Sequence, residues 1–246
     1  MRGLSESCSA GERVRQVGRI DTHVVAIDPH DPDPQAIEAA AEIVRSGGLV
    51  VLPTDTVYGL VCDPRRQQAV DAIYQVKQRG RELPLALLLH DTAQVGACVR
   101  EVPELAVLAM QQFWPGPLTI IVGSCREMTA PVCAGLQGVG LRLPSHLVPR
   151  LVAGAAGVPL ASTSANISTR PAARTAEEAL SQLRGLVPLI LDAGPAPVGR
   201  ESTVLTFMTE PPQVLREGAI PVARLREVLG EVREKQAAVC DPMSRS

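Results

Sequence analysis

Aromatic residues are nearly missing from this chain: one Trp, two Tyr and two Phe make up 2% of its 246 residues. The apolar 46% is therefore mostly Val, Leu, Ile and Ala, and the core has to be built from them. That share is enough for a globular chain rather than a disordered one. So few aromatic faces leave little on which the bases of a single-stranded nucleic acid would stack. A surplus of either charge is missing too. At a formal net charge of −2, nothing draws nucleic acid or an anionic membrane to the molecule as a whole, and such a contact needs a local patch. The cysteines (Cys8, Cys62, Cys98, Cys125, Cys133, Cys240) contain no Cys-x-x-Cys pair, and no His stands at finger-like spacing. This argues against a zinc site and fits a reducing compartment. Residues 1–19 carry Glu6, Glu12, Arg13 and Arg15 and no apolar core, unlike a secretory signal. The longest weakly polar stretch, 151–161, is too short and Gly-rich to cross a bilayer. A cytoplasmic protein is expected. The P-loop, the Gly-x-Gly-x-x-Gly turn and the Gly-x-Ser-x-Gly elbow are all lacking. His23, His30, His90 and His146 form no catalytic arrangement, and the last two read as turn or helix-start residues.

What is present is organised around residues 49–60, Leu-Val-Val-Leu-Pro-Thr-Asp-Thr-Val-Tyr-Gly-Leu. The first four form a buried strand. Pro53 ends its ladder, and Thr54, Asp55, Thr56 and Tyr58 follow before Gly59. Loops at strand ends are where open α/β sheets bind ligands. Upstream, 23–27 alternates like an edge strand. Residues 35–46 carry a helical stripe (Ile37, Ala40, Ala41, Val44) ended by Gly47-Gly48. Helix, Gly-Gly and strand in that order belong to an α/β domain.

Downstream, helices are expected at 67–77, 92–99, 103–113, 146–155, 175–183 and 221–229. Thr175 and Glu178 would form a capping box. Residues 60–63 are short and apolar, and strands are expected at 84–89, 118–122, 138–143, 159–161, 186–191, 202–206 and 213–216. Residues 1–21 read as a frayed arm, 22–230 as one domain, and 231–246 as a polar tail.

Several polar groups fall at special places in this frame. Val70, Ile73, Tyr74 and Lys77 share one helical stripe, so Lys77 faces inward at the end of its helix. Arg79 and Arg81 follow, with Gly80 breaking the helix between them. In 138–143, Gly138, Gly140 and Arg142 share one face. Glycine inside a strand often marks close approach of a ligand or backbone. Arg142 thus reads equally as a ligand-binding cation or as an arginine on a solvent face or in a structural ion pair. Ser162, Ser164 and Asn166 share a face at another strand end, and suit phosphate or carboxylate oxygens or a plain polar turn. With Ser202 and Arg216, the candidates are cationic and hydroxylic, which is the chemistry of an anion site.

Six pieces occur in one order: Pro53-Thr-Asp-Thr-Val-Tyr-Gly-Leu60, Lys77-Gln-Arg-Gly-Arg-Glu-Leu-Pro-Leu85, Trp114-Pro-Gly-Pro-Leu-Thr119, Gly140-Leu-Arg-Leu-Pro144, Ser162-Thr-Ser-Ala-Asn166 and Ser202-Thr-Val204. Together they resemble the YrdC family, the threonylcarbamoyl-AMP synthases, over about residues 22–230. The resemblance implies a single α/β domain with a twisted, mostly mixed open sheet, flanking helices and a large concave cavity. It implies the conversion of L-threonine, bicarbonate and ATP to threonylcarbamoyl-AMP and pyrophosphate. The product feeds a tRNA threonylcarbamoyl transferase complex.

By position, the resemblance makes Thr54, Arg142, Ser162 and Ser202 threonine-binding. It makes Lys77, Arg79, Arg81, Ser164, Asn166 and Arg216 ATP-contacting, with Lys77 and Arg79 closest to catalysis. Mg²⁺ is expected to be held mainly through the ATP phosphates, with no protein metal site. A monomer without a membrane contact is expected. The chain's end soon after Leu229 implies that the extra C-terminal domain of longer members is lacking. Gly80, Leu83 and Thr169 depart from the family pattern, and a loop at 167–171 would lie over the nucleotide. Two other readings stay open. One is a double-stranded RNA or tRNA-binding module using Lys77, Arg79 and Arg81. The other is a paralogue with another small-molecule substrate. A carbamoyl-transfer branch would need zinc-finger modules that the Cys spacing excludes.

Overall fold

The computed structural model describes residues 20–123 and 127–234. Most of the N-terminal arm, residues 235–246 of the tail, and Cys8, Cys125 and Cys240 lie outside these. The strands are β1 (His23–Ala26), β2 (Val50–Leu52), β3 (Gly59–Cys62), β4 (Ala86–Leu88), β5 (Leu118–Val122), β6 (Val139–Arg142), β7 (Leu160–Ser164), β8 (Leu189–Asp192), β9 (Thr203–Thr206), β10 (Gln213–Arg216) and β11 (Arg233–Glu234). The α-helices are α1 (Pro34–Ser46), α2 (Gln67–Lys77), α3 (Val95–Cys98), α4 (Glu104–Phe113), α5 (Leu147–Ala156), α6 (Ala176–Leu183) and α7 (Val222–Leu229).

All eleven strands form one sheet, in the order β1-β8-β2-β3-β7-β4-β6-β5-β9-β10-β11. β1, β2 and β8 run parallel, as do β4 with β6, β5 with β9 and β10 with β11; the other neighbours are antiparallel. The mixed open sheet expected from the resemblance is therefore present.

Period-two alternation divides the side chains between two layers. Val51, Leu60, Leu87, Ile120, Leu141, Ala161, Ile190 and Leu205 point into the larger core, which also takes buried residues of α2, α4, α6 and α7. Val50, Leu52, Val61, Leu88, Leu160, Leu189 and Leu191 point the other way, against α1 and α5. α1 starts at Asp33, whose carboxylate accepts from the Gln35 N–H at 2.9 Å, and stops at Gly47 with φ 91°. The Gly48 N–H returns to the Ile43 carbonyl at 2.8 Å, which satisfies an end-of-helix carbonyl.

Most elements fall within two residues of the expected spans; β7 runs three residues past its expected end at 161, to Ser164, and five other details differ. The stretch 92–99 is a short 3-10 turn followed by the single turn of α3. α2 stops at Gln78, held at φ 52°, before Gly80 is reached. Thr175 caps α6 by accepting from the Glu178 N–H, but Glu178 reaches back to the Arg174 N–H rather than closing the box on Thr175. The strand expected at 186–191 starts three residues later, at Leu189. The stretch 231–234 is not a loose tail: Val232 is buried and β11 pairs with β10, so the domain runs on past residue 230.

Candidate functional site

One cavity of about 480 Å³ opens on the α1/α5 side of the sheet, beyond the part those two helices cover. Its floor is made by strand residues of one parity: Gly59, Ser162, Ser164, Ala86, Leu88, Gly140, Arg142, Thr119, Ile121 and Val204. The loops at 54–58, 79–85, 136–138 and 201–202 supply the walls, and among the described residues none from an α-helix lines it. Thr54, Arg79, Arg142, Ser162, Ser164, Ser202 and Arg216 all reach the cavity.

At the deep end, Arg142 is nearly buried and resolves the choice left open by the sequence, because it is both an ion-pair partner and a cavity group. Its Nη2 donates to Asp55 Oδ1 at 2.6 Å, its Nη1 to Thr56 Oγ1 at 2.8 Å, and its Nε to the Gly116 carbonyl at 3.1 Å. Three of the five guanidinium N–H groups are thus used to hold it. Burial holds its pKa below the usual arginine value, and Asp55 offsets only part of that. Thr54 is held by its own loop: Oγ1 donates to the Val57 carbonyl at 2.7 Å and accepts from the Thr56 N–H at 3.1 Å. Tyr58 ties this loop to the end of β8, donating to the Gly194 carbonyl at 2.7 Å. Across the floor, Ser202 Oγ lies 2.8 Å from Thr119 Oγ1 and accepts from Arg216 Nη2 at 3.2 Å. Arg216 also pairs with Glu201 at 3.0 Å.

Lys77 and Asn166 stand behind the wall rather than in it. The Lys77 ammonium donates to the Ser164 carbonyl at 2.7 Å, Ser164 Oγ at 3.3 Å and Asn166 Oδ1 at 2.5 Å. Ser164 Oγ donates to the same Asn166 oxygen at 2.7 Å. Burial first, then Arg79, pulls the Lys77 pKa down to about 8, while Glu201 pulls the other way. Arg79 lies over the Tyr74 ring at 5.4 Å, and its buried Nε has no hydrogen-bond partner. The pair Lys77 and Ser164-x-Asn166 is therefore one preformed unit, with Ser164 presented to the cavity.

Arg81 departs from its expected role. It pairs with Asp71 at 2.5 Å and lines a separate shallow cleft with Gln67, Tyr74 and Glu82. The Asp71 carboxylate on the outer side of α2 draws the side chain away from the cavity. Three participants were not singled out as ligands: Asp55, Thr119 and Glu201. Thr119 sits in the quoted Trp-Pro-Gly-Pro-Leu-Thr piece, and period two already put it on one face of its strand. The Asp55–Arg142 pair carries no local signal, since its partners are 87 residues apart. His146 caps α5, with Nδ1 accepting from the Val148 N–H at 3.2 Å, and takes no part in lining the cavity.

An α/β domain with a mixed sheet and a cavity lined by arginines and hydroxyls offers the chemistry that small anionic ligands require. The sequence model of the Sua5/YciO/YrdC family, described as telomere recombination, matches residues 42–218. The chain belongs to this family, as the six motifs implied. The threonylcarbamoyl-AMP synthase of Pyrococcus abyssi is 34% identical over 80% of this chain and 58% of its own length. That of Bacillus subtilis is 37% identical, over 81% of this chain and 58% of its own. The chain thus spans under two thirds of these two relatives. The crystal structure of Pyrococcus abyssi Sua5 complexed with L-threonine superposes with a TM-score of 0.85 at 31% identity, over 91% of this chain and 66% of that one.

Proposed function

We propose that this protein makes threonylcarbamoyl-AMP and pyrophosphate from L-threonine, bicarbonate and ATP, as a nucleotidyltransferase serving tRNA modification in the cytoplasm. One observation carries the reading: Arg142, Thr54, Ser162 and Ser202 line the same cavity as Arg79, Ser164 and Arg216. The first group suits an amino-acid carboxylate and hydroxyl, and the second suits phosphate oxygens. The names of the relatives support the same substrates.

The chemistry asks for little acid–base machinery. The threonine amine attacks the carbon of bicarbonate, a C–N bond forms, and water leaves. A carbamate oxygen then bonds to the α-phosphorus, the bond to the β-phosphate oxygen breaks, and pyrophosphate departs. The residues at hand would orient the two ligands and neutralise developing charge. Lys77 would do this through Ser164 and at close range to the phosphates, and Arg79 directly from the wall. Among the described residues no group of three or more His, Cys, Asp or Glu could hold a metal. The one carboxylate lining the cavity, Glu201, is paired with Arg216. This donor set suits phosphate oxygens, so Mg²⁺ is proposed to enter as part of the nucleotide substrate, on its phosphates. The acceptor of the product is proposed to be a tRNA-modifying transferase.

The test is pyrophosphate release by the purified protein with ATP, Mg²⁺ and bicarbonate, with and without L-threonine. Release that requires threonine and exceeds that with serine is expected. Release indifferent to the amino acid overturns the reading.

A further inference from the structure

Three glycines line the cavity, and the surrounding fold accounts for them unequally. A Cβ on Gly138 would meet Ile121 Cγ2 at 3.0 Å and both Met208 Sδ and the Val122 carbonyl at 3.3 Å, so packing explains that glycine. A Cβ on Gly59 would stand 3.2 Å from Ser162 Oγ, which is also tight. At Gly140 the nearest atoms would be Thr119 Cγ2 at 3.5 Å and Ala86 Cα and Cβ at 3.6 Å, which is ordinary contact. Gly140 is not among the residues with positive φ, and it lies in the middle of β6. Glycine there weakens the strand. The fold has room for a methyl at 140 and nothing to lose by it.

The register shows what the missing methyl leaves open. One row across the floor reads Ile121, Gly140, Ala86, Ser162 on β5, β6, β4 and β7. Gly140 and Ala86 are its two smallest members and stand side by side at its centre. Arg142 and Leu88 form the next pair along the same two strands. Ser164 lies one step further along β7, paired with Gly59. The bare patch is thus bordered by Arg142 and Ser162, proposed for the amino acid, and by Ser164, proposed for the nucleotide.

We infer that Gly140, seated against Ala86, is the steric determinant of the reacting junction: its missing side chain makes the depth in which the carbamate and the α-phosphate meet. The inference rests on the reaction proposed above. Either ligand alone can shift by less than a methyl's width to avoid a bump there. Both together cannot, because each is anchored at its far end.

The experiment is Gly140→Ala. Its melting temperature should equal or exceed that of the wild type, since the methyl fits and a strand glycine is removed. Affinities for L-threonine alone and for ATP alone, by calorimetry, should stay within about threefold, while kcat for threonine-dependent pyrophosphate release falls about 100-fold, as a displacement of about 1 Å at the reacting atoms produces. Turnover within about twofold of wild type overturns the inference. So does loss of affinity for one ligand by itself, which would put the methyl in that ligand's own subsite. Wild-type protein run in parallel separates the two levels. If it shows no threonine-dependent release, the proposed reaction and this inference fall together. If it turns over and Gly140→Ala matches it, the inference falls alone.

Discussion

One face of the sheet carries two regions built to opposite rules. Under α1 and α5 it presents Val50, Leu52, Val61, Leu88, Leu160, Leu189 and Leu191, all buried. Further along the same face it presents Gly59, Ala86, Thr119, Gly140, Arg142, Ser162 and Ser164, open to the cavity. The change happens within single strands. β7 passes from Leu160 to Ser162, β3 from Val61 to Gly59, and β4 from Leu88 to Ala86. Alternation decides which face a residue takes. Size and polarity at that parity then decide whether a helix can cover it, because a helix laid over hydroxyls and a guanidinium would bury them without water. The cavity exists where the apolar stripe stops.

The largest expected effect comes from the open region. Arg142→Ala should cut turnover on the order of 10²–10³-fold, by loss of fixed positive charge. It should also lower stability by about 3–5 kcal/mol, because Asp55 is left buried without its partner. Asp55 Oδ2 already lacks a partner. Adding Asp55→Asn to Arg142→Ala should recover much of the stability and none of the turnover, as read by urea unfolding and pyrophosphate release. If turnover recovers too, Arg142 serves the fold alone.

Leu160→Ser carries the rule of the open region one step under the helices. Leu160 is fully buried against the α1/α5 layer. The substitution leaves a cavity and an unpaired hydroxyl, so a loss of about 3 kcal/mol is expected. Activity per folded molecule should stay near wild type. A change below about 0.5 kcal/mol would mean that the covering helices tolerate polarity, and the contrast between the regions would lose its cause.

A third expected effect is electrostatic. Lys77 is charged only below about pH 8, whereas an unperturbed lysine keeps its charge up to 10.5. The charged form is the one that attracts phosphate. ATP affinity of the free protein should therefore be flat below that pH and weaken above it, by up to tenfold per pH unit, about 1.4 kcal/mol each. Calorimetric titrations from about pH 7 to about pH 9.5 cover the break. Lys77→Met should bind weakly throughout and show no break; a break that persists belongs to another group.

The contrast was legible in the sequence in part. The hydroxyls after each strand end, the glycines beside Arg142 and the inward Lys77 all follow from period and position. What lay beyond reach depended on the third dimension. Nothing local says that β8 sits between β1 and β2, or that Asp55 meets Arg142. Arg81 looks like Arg79 in the sequence, yet Asp71, ten positions earlier on α2, turns it outward. The tail read as polar because Val232 stands alone among the charged residues of 231–235, and its burial depends on the neighbouring β10 edge.

The smallest expected effect tests how the open region keeps its polar groups without a ligand. Its hydroxyls are held by backbone carbonyls, by one another and by neighbouring polar side chains. Ser202 Oγ has both Thr119 and Arg216 within reach, at 2.8 Å and 3.2 Å. Thr119→Val keeps the shape and removes one hydroxyl. Ser202 retains Arg216, so no buried group is orphaned and the cost should be about 1 kcal/mol or less. The threonine KM should rise by less than about tenfold, since Ser202 loses a neighbour that orients it and keeps its own contact. A larger rise with unchanged stability would mean that Thr119 bonds the amino acid itself. The covered region offers no such reserve: each of its side chains is held only by shape, and removing one leaves a hole that nothing else fills.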